Sequence, residues 1–345
     1  MIRVTIVLPC RNEREHILGV LDCIVNSDYP QDLLEVLVVD GLSTDGTRQL
    51  LKDYAARYGN VRIIDNPDRY VSHGMNLGIR EARGEIVIRM DCHARYPRDY
   101  ISTLVWYSDM LNAANVGPCV ETSPGGNGRV ALAISIVLSS RFGVGNSSFR
   151  LKGLSGEYVR VDTVPFGCFR KEIFDRVGLF DEELVRNQDN ELNERILQAG
   201  GEIFLIPGLK VDYYARKTFR SLWLMLFQYG YYGPVVDRKL GRKTRLRRYV
   251  PAAFVGAICL PLALTPWASS ALAVSGTALA LHSIANLISS FVAAVGARDI
   301  RLLAYLLFGF FVAHISYGVG YWVGLWTDFV YRGKRQRGVA LRLSR

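Results

Sequence analysis

The 345-residue chain lacks a Cys-x-x-Cys pair and any regular cysteine framework; its six cysteines, Cys10, Cys23, Cys92, Cys119, Cys168 and Cys259, are scattered. That argues against a disulfide-stapled or zinc-ribbon domain and predicts reduced, mostly buried thiols in a cytosolic main domain. No Gly-x-Gly-x-x-Gly follows the first apolar run, which counts against a dinucleotide-dependent oxidoreductase. The run from Ile2 to Leu8 is too short, and too soon interrupted by Pro9, to be a secretory signal. Acids are missing from two basic blocks, Arg238 to Arg248 and Arg332 to Arg345, which hold thirteen of the 42 Lys and Arg residues. Outside them 29 basic residues face 32 acidic ones, so the formal charge of +10 is local and no nucleic-acid-binding body is expected.

What is present divides into two regimes. Half of the residues are apolar and the mean hydropathy is +0.13, high for a wholly soluble enzyme. Up to about residue 235 short β-rich runs alternate with helix-period segments, predicting an α/β domain with a largely parallel sheet. The runs are Val4 to Leu8, Leu34 to Val39, Val61 to Ile64 and Glu85 to Met90. Ile17, Val20, Leu21 and Ile24 repeat at helical spacing, Ser43 to Asp45 can cap a second helix running toward Tyr58, and a third is expected over Ser72 to Ala82. Polar clusters follow each strand: Pro9 to Glu13, Asp40-Gly41, Asp65-Asn66 and Asp91-Cys92-His93. Because the carboxyl ends of parallel strands share one edge, these clusters should converge on a ligand crevice.

After residue 249, Tyr249 to Trp267, Ala271 to Val295 and Leu302 to Trp326 contain no Asp, Glu, Lys or Arg and approach membrane-spanning length. Both basic blocks favour the cytoplasmic side, which calls for an even number of crossings, yet three segments are counted. Tyr249 to Trp267 is the weakest, since Pro251, Pro261 and Pro266 interrupt it, and a re-entrant or interfacial course is open to it. Just before it, Phe219, Leu222, Trp223, Leu226, Phe227 and Tyr231 would line one face of a helix over Thr218 to Tyr232. Such a face suits either a membrane interface or packing within the protein.

The opening Val-Thr-Ile-Val-Leu-Pro-Cys-Arg-Asn-Glu, the segment from Val39 to Thr47, Gly74 to Gly78, Gly84 to Ile86, Asp91-Cys92-His93 and Asn187 to Glu191 recur in one order. The ordered set resembles the family 2 glycosyltransferases, which have the GT-A fold. Its Asp-x-His variant, its Arg-Asn-Gln-Asp motif and the apolar tail are most similar to succinoglycan-type enzymes that extend a lipid-linked sugar in exopolysaccharide synthesis. The resemblance implies a GT-A domain followed by C-terminal transmembrane helices. It divides the chain into a catalytic domain over 1–217, an amphipathic and basic interfacial linker over 218–248, two or three membrane passes over 249–328 and a basic tail over 329–345.

A nucleotide-sugar donor needs a base reader, neutralisation of its leaving diphosphate and a proton acceptor for the incoming hydroxyl. Asp40 at a strand end can accept from a uracil imide or ribose hydroxyls, and the resemblance assigns it to uracil. Pro9, Arg11, Asn12 and Glu13 would complete the nucleoside pocket; a helix cap is the plainer reading of Arg11 to Glu13. Asn76 and Asp91 join the donor-binding set through the same resemblance. Asp91 and His93 correspond to the family's Asp-x-Asp motif with the last acid replaced by histidine. A divalent cation, Mn²⁺ or Mg²⁺, is expected there, with imidazole leaning toward Mn²⁺. Direct contact of His93 with diphosphate, or a structural histidine, are the other readings. Asp189 matches the family's catalytic base; near a helix start its carboxylate is stabilised and can face the crevice, although a plain helix cap would sit there too.

Together these imply an inverting hexosyltransferase that moves a hexose, glucose foremost, from a UDP-sugar to a polyprenyl-diphosphate-linked saccharide. It would be a multi-pass protein of the cell's inner membrane with a cytoplasmic catalytic domain, in contact with membrane lipid and other polysaccharide-assembly proteins. A processive synthase is a second reading, weakened because Gln228-Tyr229-Gly230-Tyr231-Tyr232 lacks the arginine and tryptophan of the synthases' Gln-x-x-Arg-Trp. A catalytically silent nucleotide-sugar-binding scaffold is a third, motivated by the Asp-x-His departure.

Overall fold

The computed structural model describes residues 1–145, 147–151, 156–241 and 248–331. From the N-terminus the chain forms β1 (Val4–Cys10), α1 (Ile17–Val25), β2 (Leu34–Asp40), α2 (Thr47–Ala55), β3 (Val61–Asp65), α3 (Val71–Glu81) and β4 (Ile86–Arg89). It continues through β5 (Ala94–Arg95), α4 (Tyr100–Met110), β6 (Asn115–Ser123), α5 (Arg129–Ser139), α6 (Arg141–Val144), β7 (Val159–Arg160), β8 (Cys168–Arg170), α7 (Ile173–Val177), α8 (Gln188–Gln198) and β9 (Ile203–Tyr214). Four further helices follow: α9 (Phe219–Lys239), α10 (Val250–Leu264), α11 (Ala271–Gly296) and α12 (Leu303–Tyr331).

The sheet order is β3-β2-β1-β4-β8-β6-β9-β5, with β7 on β9. The first four strands are parallel, as the βαβ pattern requires. Beyond them the sheet turns antiparallel, β8 against both β4 and β6, and β5 and β7 against β9. The expected largely parallel sheet is therefore a mixed one, in which only the first four strands are joined as successive βαβ units. β2 is buried at every position, which explains why it reads as a continuous apolar run rather than an alternation. The stripe of Ile17, Val20, Leu21 and Ile24 is the buried face of α1. At the start of α2, Gly46 takes φ +97°, and the Asp45 carboxylate accepts from Thr47 N at 3.0 Å.

Two compact units separate: Met1–Glu121 with Gly153–Tyr213, and Thr122–Lys152 with Tyr214–Arg345. The boundary expected at residue 217 thus misses an excursion, since α5 and α6 belong with the C-terminal helices. Inside the second unit Ala133 and Val137 of α5 pack with Ala294, Leu306, Phe310 and Ala313. Leu222 and Met225 of α9 join Ile134, Leu138 and Val312. Of the expected apolar face of α9, Leu222 and Tyr231 are buried, while Phe219, Trp223, Leu226 and Phe227 are half-buried. α9 runs parallel to α12 along a glycine seam: a Cβ on Gly320 would meet Phe227 O at 2.2 Å, and one on Gly324 would meet Tyr231 O at 2.1 Å.

α11 and α12 form an antiparallel hairpin joined by half-buried polar contacts, one of them braced within α11. Asn286 Nδ2 donates to Leu307 O at 3.0 Å, Ser290 Oγ donates to Asn286 Oδ1 at 3.0 Å, and His282 Nε2 lies 2.9 Å from His314 Nδ1. Among the described residues two helical stretches are long and apolar enough to cross a membrane, Ala271–Gly296 and Ile300–Val330. Only 17% of the most apolar part of the first is buried, unlike the core helix of a soluble domain. α10, the proline-interrupted segment, spans 15 residues and falls short of that length. The two basic blocks lie largely outside the described residues, at 242–247 and 332–345. All six cysteines are free, but only Cys10, Cys92 and Cys168 are buried, and Cys259 on α10 is exposed, so burial is less general than expected.

Candidate active site

The strand ends do share an edge. Asp40 is the last residue of β2, in register with Cys10 on one side and Asp65 on the other. The Asp40 side chain is fully buried and accepts from Ser43 N at 3.2 Å, Ser43 Oγ at 2.5 Å and Arg48 Nη1 at 3.0 Å. Arg48 Nη2 donates to Asp65 at 2.6 Å, so one guanidinium links the acids that end β2 and β3. The Pro9 to Glu13 cluster is tied to the same loop: Asn12 N donates to Ser43 Oγ, Thr44 N donates to Asn12 Oδ1, and Glu13 N donates to Thr47 Oγ1, all within 2.8–2.9 Å. Asn12 takes φ +54°, a conformation asparagine tolerates better than most residues. The Arg11 side chain lies against Gly41, where a Cβ would meet its carbons at 3.2 Å.

The second cluster is built around Arg89, the last residue of β4, whose side chain is only 8% exposed. Its Nε donates to Asp91 Oδ1 at 3.0 Å and Nη2 to Asp91 Oδ2 at 3.3 Å, while Nη1 donates to Asp189 Oδ1 at 2.5 Å. Asp189 is the second residue of α8, held there after Asn187 at φ +64°. Burial works against the Arg89 charge, but Asp189 and then Asp91 outweigh it and raise its pKa. Burial would raise the Asp91 pKa, yet Arg89, then His93 and Arg186, hold it below the usual carboxylate value. Asp189 goes the other way: burial raises it, Arg89 lowers it, and the like charge of Asp91 raises it again, leaving it above the ordinary aspartate value. With a third of its side chain still in solvent, that rise is tempered by water.

The Asp-x-His turn completes the edge. Asp91 N donates to Tyr96 Oη at 2.7 Å, which fixes the turn, and the Cys92 thiol lies 3.7 Å from Pro9 O. His93 Nδ1 is 3.8 Å from Glu13 Oε1, and its ring meets Tyr213 edge-on at 6.0 Å. Among the described residues no group of three His, Cys, Asp or Glu side chains could hold a metal by itself. One carboxylate and one imidazole at this turn fit a cation carried chiefly by substrate phosphates, which needs only one or two protein ligands. An all-protein cage does not fit.

Asn76, expected at the donor, has its amide engaged elsewhere: Nδ2 donates to Phe180 O and Glu182 Oε1, each at 2.9 Å, and Oδ1 accepts from Phe180 N at 2.9 Å. A Cβ on Gly74 would meet Asn66 Nδ2 at 3.2 Å, so that glycine admits the sheet edge to α3. Arg69 is exposed; His73 is buried, with Nε2 3.6 Å from Glu182. Sequence reasoning missed Arg89 and Arg48. An arginine within the apolar run Glu85 to Met90, two positions before an acid, was the available signal for Arg89.

Residues 5–178 match the family described as Glycosyl transferase family 2. The succinoglycan biosynthesis protein ExoA of Rhizobium meliloti is 32% identical over 227 residues, 65% of this chain and 67% of that protein. A Methanococcus voltae dolichyl N-acetyl-alpha-D-glucosaminyl phosphate 3-beta-D-2,3-diacetamido-2,3-dideoxy-beta-D-glucuronosyltransferase is 26% identical over 66% of this chain and 71% of its own. Among solved structures, the mannosyltransferase PcManGT of Pyrobaculum calidifontis, in complex with GDP-Man and Mn²⁺, is similar at TM-score 0.57 and 23% identity, covering 94% of this chain and 88% of that one. Staphylococcus aureus TarS 1-349 with UDP is similar at TM-score 0.51 and 14% identity, covering 96% and 92%. The folds agree over nearly the whole chain and the sequence match spans half of it, so the chain belongs to glycosyltransferase family 2 and is a glycosyltransferase of GT-A fold.

Proposed function

We propose that the protein transfers a hexose, glucose foremost, from a UDP-sugar to a polyprenyl-diphosphate-linked saccharide in exopolysaccharide or cell-surface glycan synthesis, with inversion at the anomeric carbon. The supporting observation is that Asp91 and Asp189, 98 positions apart, both bind one guanidinium, so a donor-side acid and a candidate base share one site. Asp40 reads the uracil, with Arg11, Asn12 and Glu13 around the nucleoside. Asp189 accepts the proton of the acceptor hydroxyl while that oxygen attacks C1; the bond from C1 to the diphosphate breaks, and UDP leaves with the electron pair. A divalent cation at Asp91 and His93 would supply neutralisation of the leaving diphosphate.

The apolar hairpin of α11 and α12 supports an inner-membrane location, with the catalytic unit on the cytoplasmic side. Two crossings agree with both basic blocks facing the cytoplasm. Asp189→Asn should retain UDP binding while transfer falls by ~10² or more. Unchanged transfer to a lipid-linked acceptor would reject Asp189 as the base. Linkage analysis of the product distinguishes one added sugar from a polymer ladder.

A further inference from the structure

We propose that Arg89 is a positioning residue for glycosyl transfer: its guanidinium engages one oxygen of Asp189 and leaves the other to take the acceptor's proton. This rests on Asp189 being the base. The guanidinium projects from the end of β4, a strand hydrogen-bonded on both sides, to β1 and β8. Its Nε and Nη2 hold both oxygens of Asp91, at 3.0 and 3.3 Å, which leaves Nη1 for Asp189 Oδ1 at 2.5 Å. Among the described residues Asp189 Oδ2 accepts no hydrogen bond, and the side chain keeps 34% of its surface exposed. One oxygen is thus fixed from the rigid sheet and the other is left to accept a proton. Asp189 stands on a helix that reaches the sheet edge through a long loop, so without Arg89 nothing described ties its carboxylate to the donor-side acid.

The planar fork matters as much as the charge. A lysine ammonium is a point charge and cannot hold Asp91 from two nitrogens while presenting a third to Asp189 in a fixed direction. Misplacement of a reacting group by about 1 Å costs on the order of 10² in rate. Arg89 therefore acts through Asp189 rather than on the sugar, and its loss should appear in kcat more than in donor affinity.

The experiment uses the full chain in lipid, UDP-glucose as donor and a polyprenyl-diphosphate-linked hexose as acceptor. Arg89→Gly and Arg89→Lys are each expected to lower kcat by ~10², with a smaller rise in donor KM because Asp91 also loses its hold. Guanidinium ion should restore part of the rate to Arg89→Gly, whereas methylammonium at equal concentration should not. Adding Arg89→Gly to Asp189→Asn should cost no further rate. Near-wild-type kcat in Arg89→Lys, absence of guanidinium rescue in a folded Arg89→Gly protein, or multiplicative losses in the double variant would overturn the inference. If Arg89→Gly does not fold, Arg89→Lys retains the buried cation and its kcat and KM decide. Full transfer by Asp189→Asn would instead show that the base assignment fails; loss there with intact Arg89 variants would sink the positioning role alone.

Discussion

Asn76 and Phe180, 104 positions apart, are joined by two hydrogen bonds of 2.9 Å, the amide donating to the Phe180 carbonyl and accepting from its N–H. Nearby, Ser72 Oγ donates to Leu184 O at 3.3 Å. α3 thereby anchors the stretch that leads into α8 and Asp189.

Asn76→Ala should therefore destabilise the protein by about 1–3 kcal/mol, because buried backbone groups of Phe180 lose their partner. Denaturant or thermal unfolding checks this. Unaltered stability would mean that the stretch is held by other contacts.

Asp40→Asn should weaken UDP binding by about tenfold or more, since an amide cannot accept from the uracil imide with both oxygens or match the charge held by Arg48. Titration calorimetry with UDP is the measurement, with circular dichroism as the folding control. Equal affinity would remove Asp40 as base reader.

The pH profile of transfer should show an acidic limb above the ordinary aspartate range. Burial raises the Asp189 pKa, Arg89 partly opposes it, and Asp91 adds to the rise. A base works only when unprotonated, so kcat falls as pH drops through this folded-state value. A limb at or below the free aspartate value would contradict the assignment.

Chelation should suppress transfer, and Mn²⁺ should restore it. The check includes His93→Ala, expected to demand a higher Mn²⁺ concentration than the parent. Activity indifferent to a strong chelator would remove the cation from Asp91 and His93.

Gly320→Leu should destabilise the helix bundle by about 1–3 kcal/mol, because any Cβ there meets Phe227 O at 2.2 Å. Thermal unfolding in detergent reads this directly. A neutral result would show that α9 and α12 separate easily.

Much of the N-terminal half was legible. Val4 to Leu8, Leu34 to Val39 and Val61 to Ile64 are apolar runs bounded by turn residues, and the strands they form end within two residues of the expected positions. Asp40 and Asp91 could be placed at strand ends because parallel strands order their ends by topology alone. Arg89 was hidden for a different reason: its partner Asp189 lies 100 positions away, and no local period reports such a pairing. The membership of α5 in the C-terminal unit was equally silent, since Arg129–Ser139 is a short apolar helix that would suit the core of either unit and reveals its partners only through Leu306 and Phe310. Asn76 shows the limit of reading roles from motifs, as its amide is committed to Phe180 whatever else the donor brings.

The two arginine forks carry a consequence for charge balance. Asp40, Asp65, Asp91 and Asp189 bring four negative charges to the forks, and Arg48 and Arg89 return two. The shortfall among these six side chains equals the charge of one divalent ion, so the two forks together leave a net negative edge rather than a neutral one.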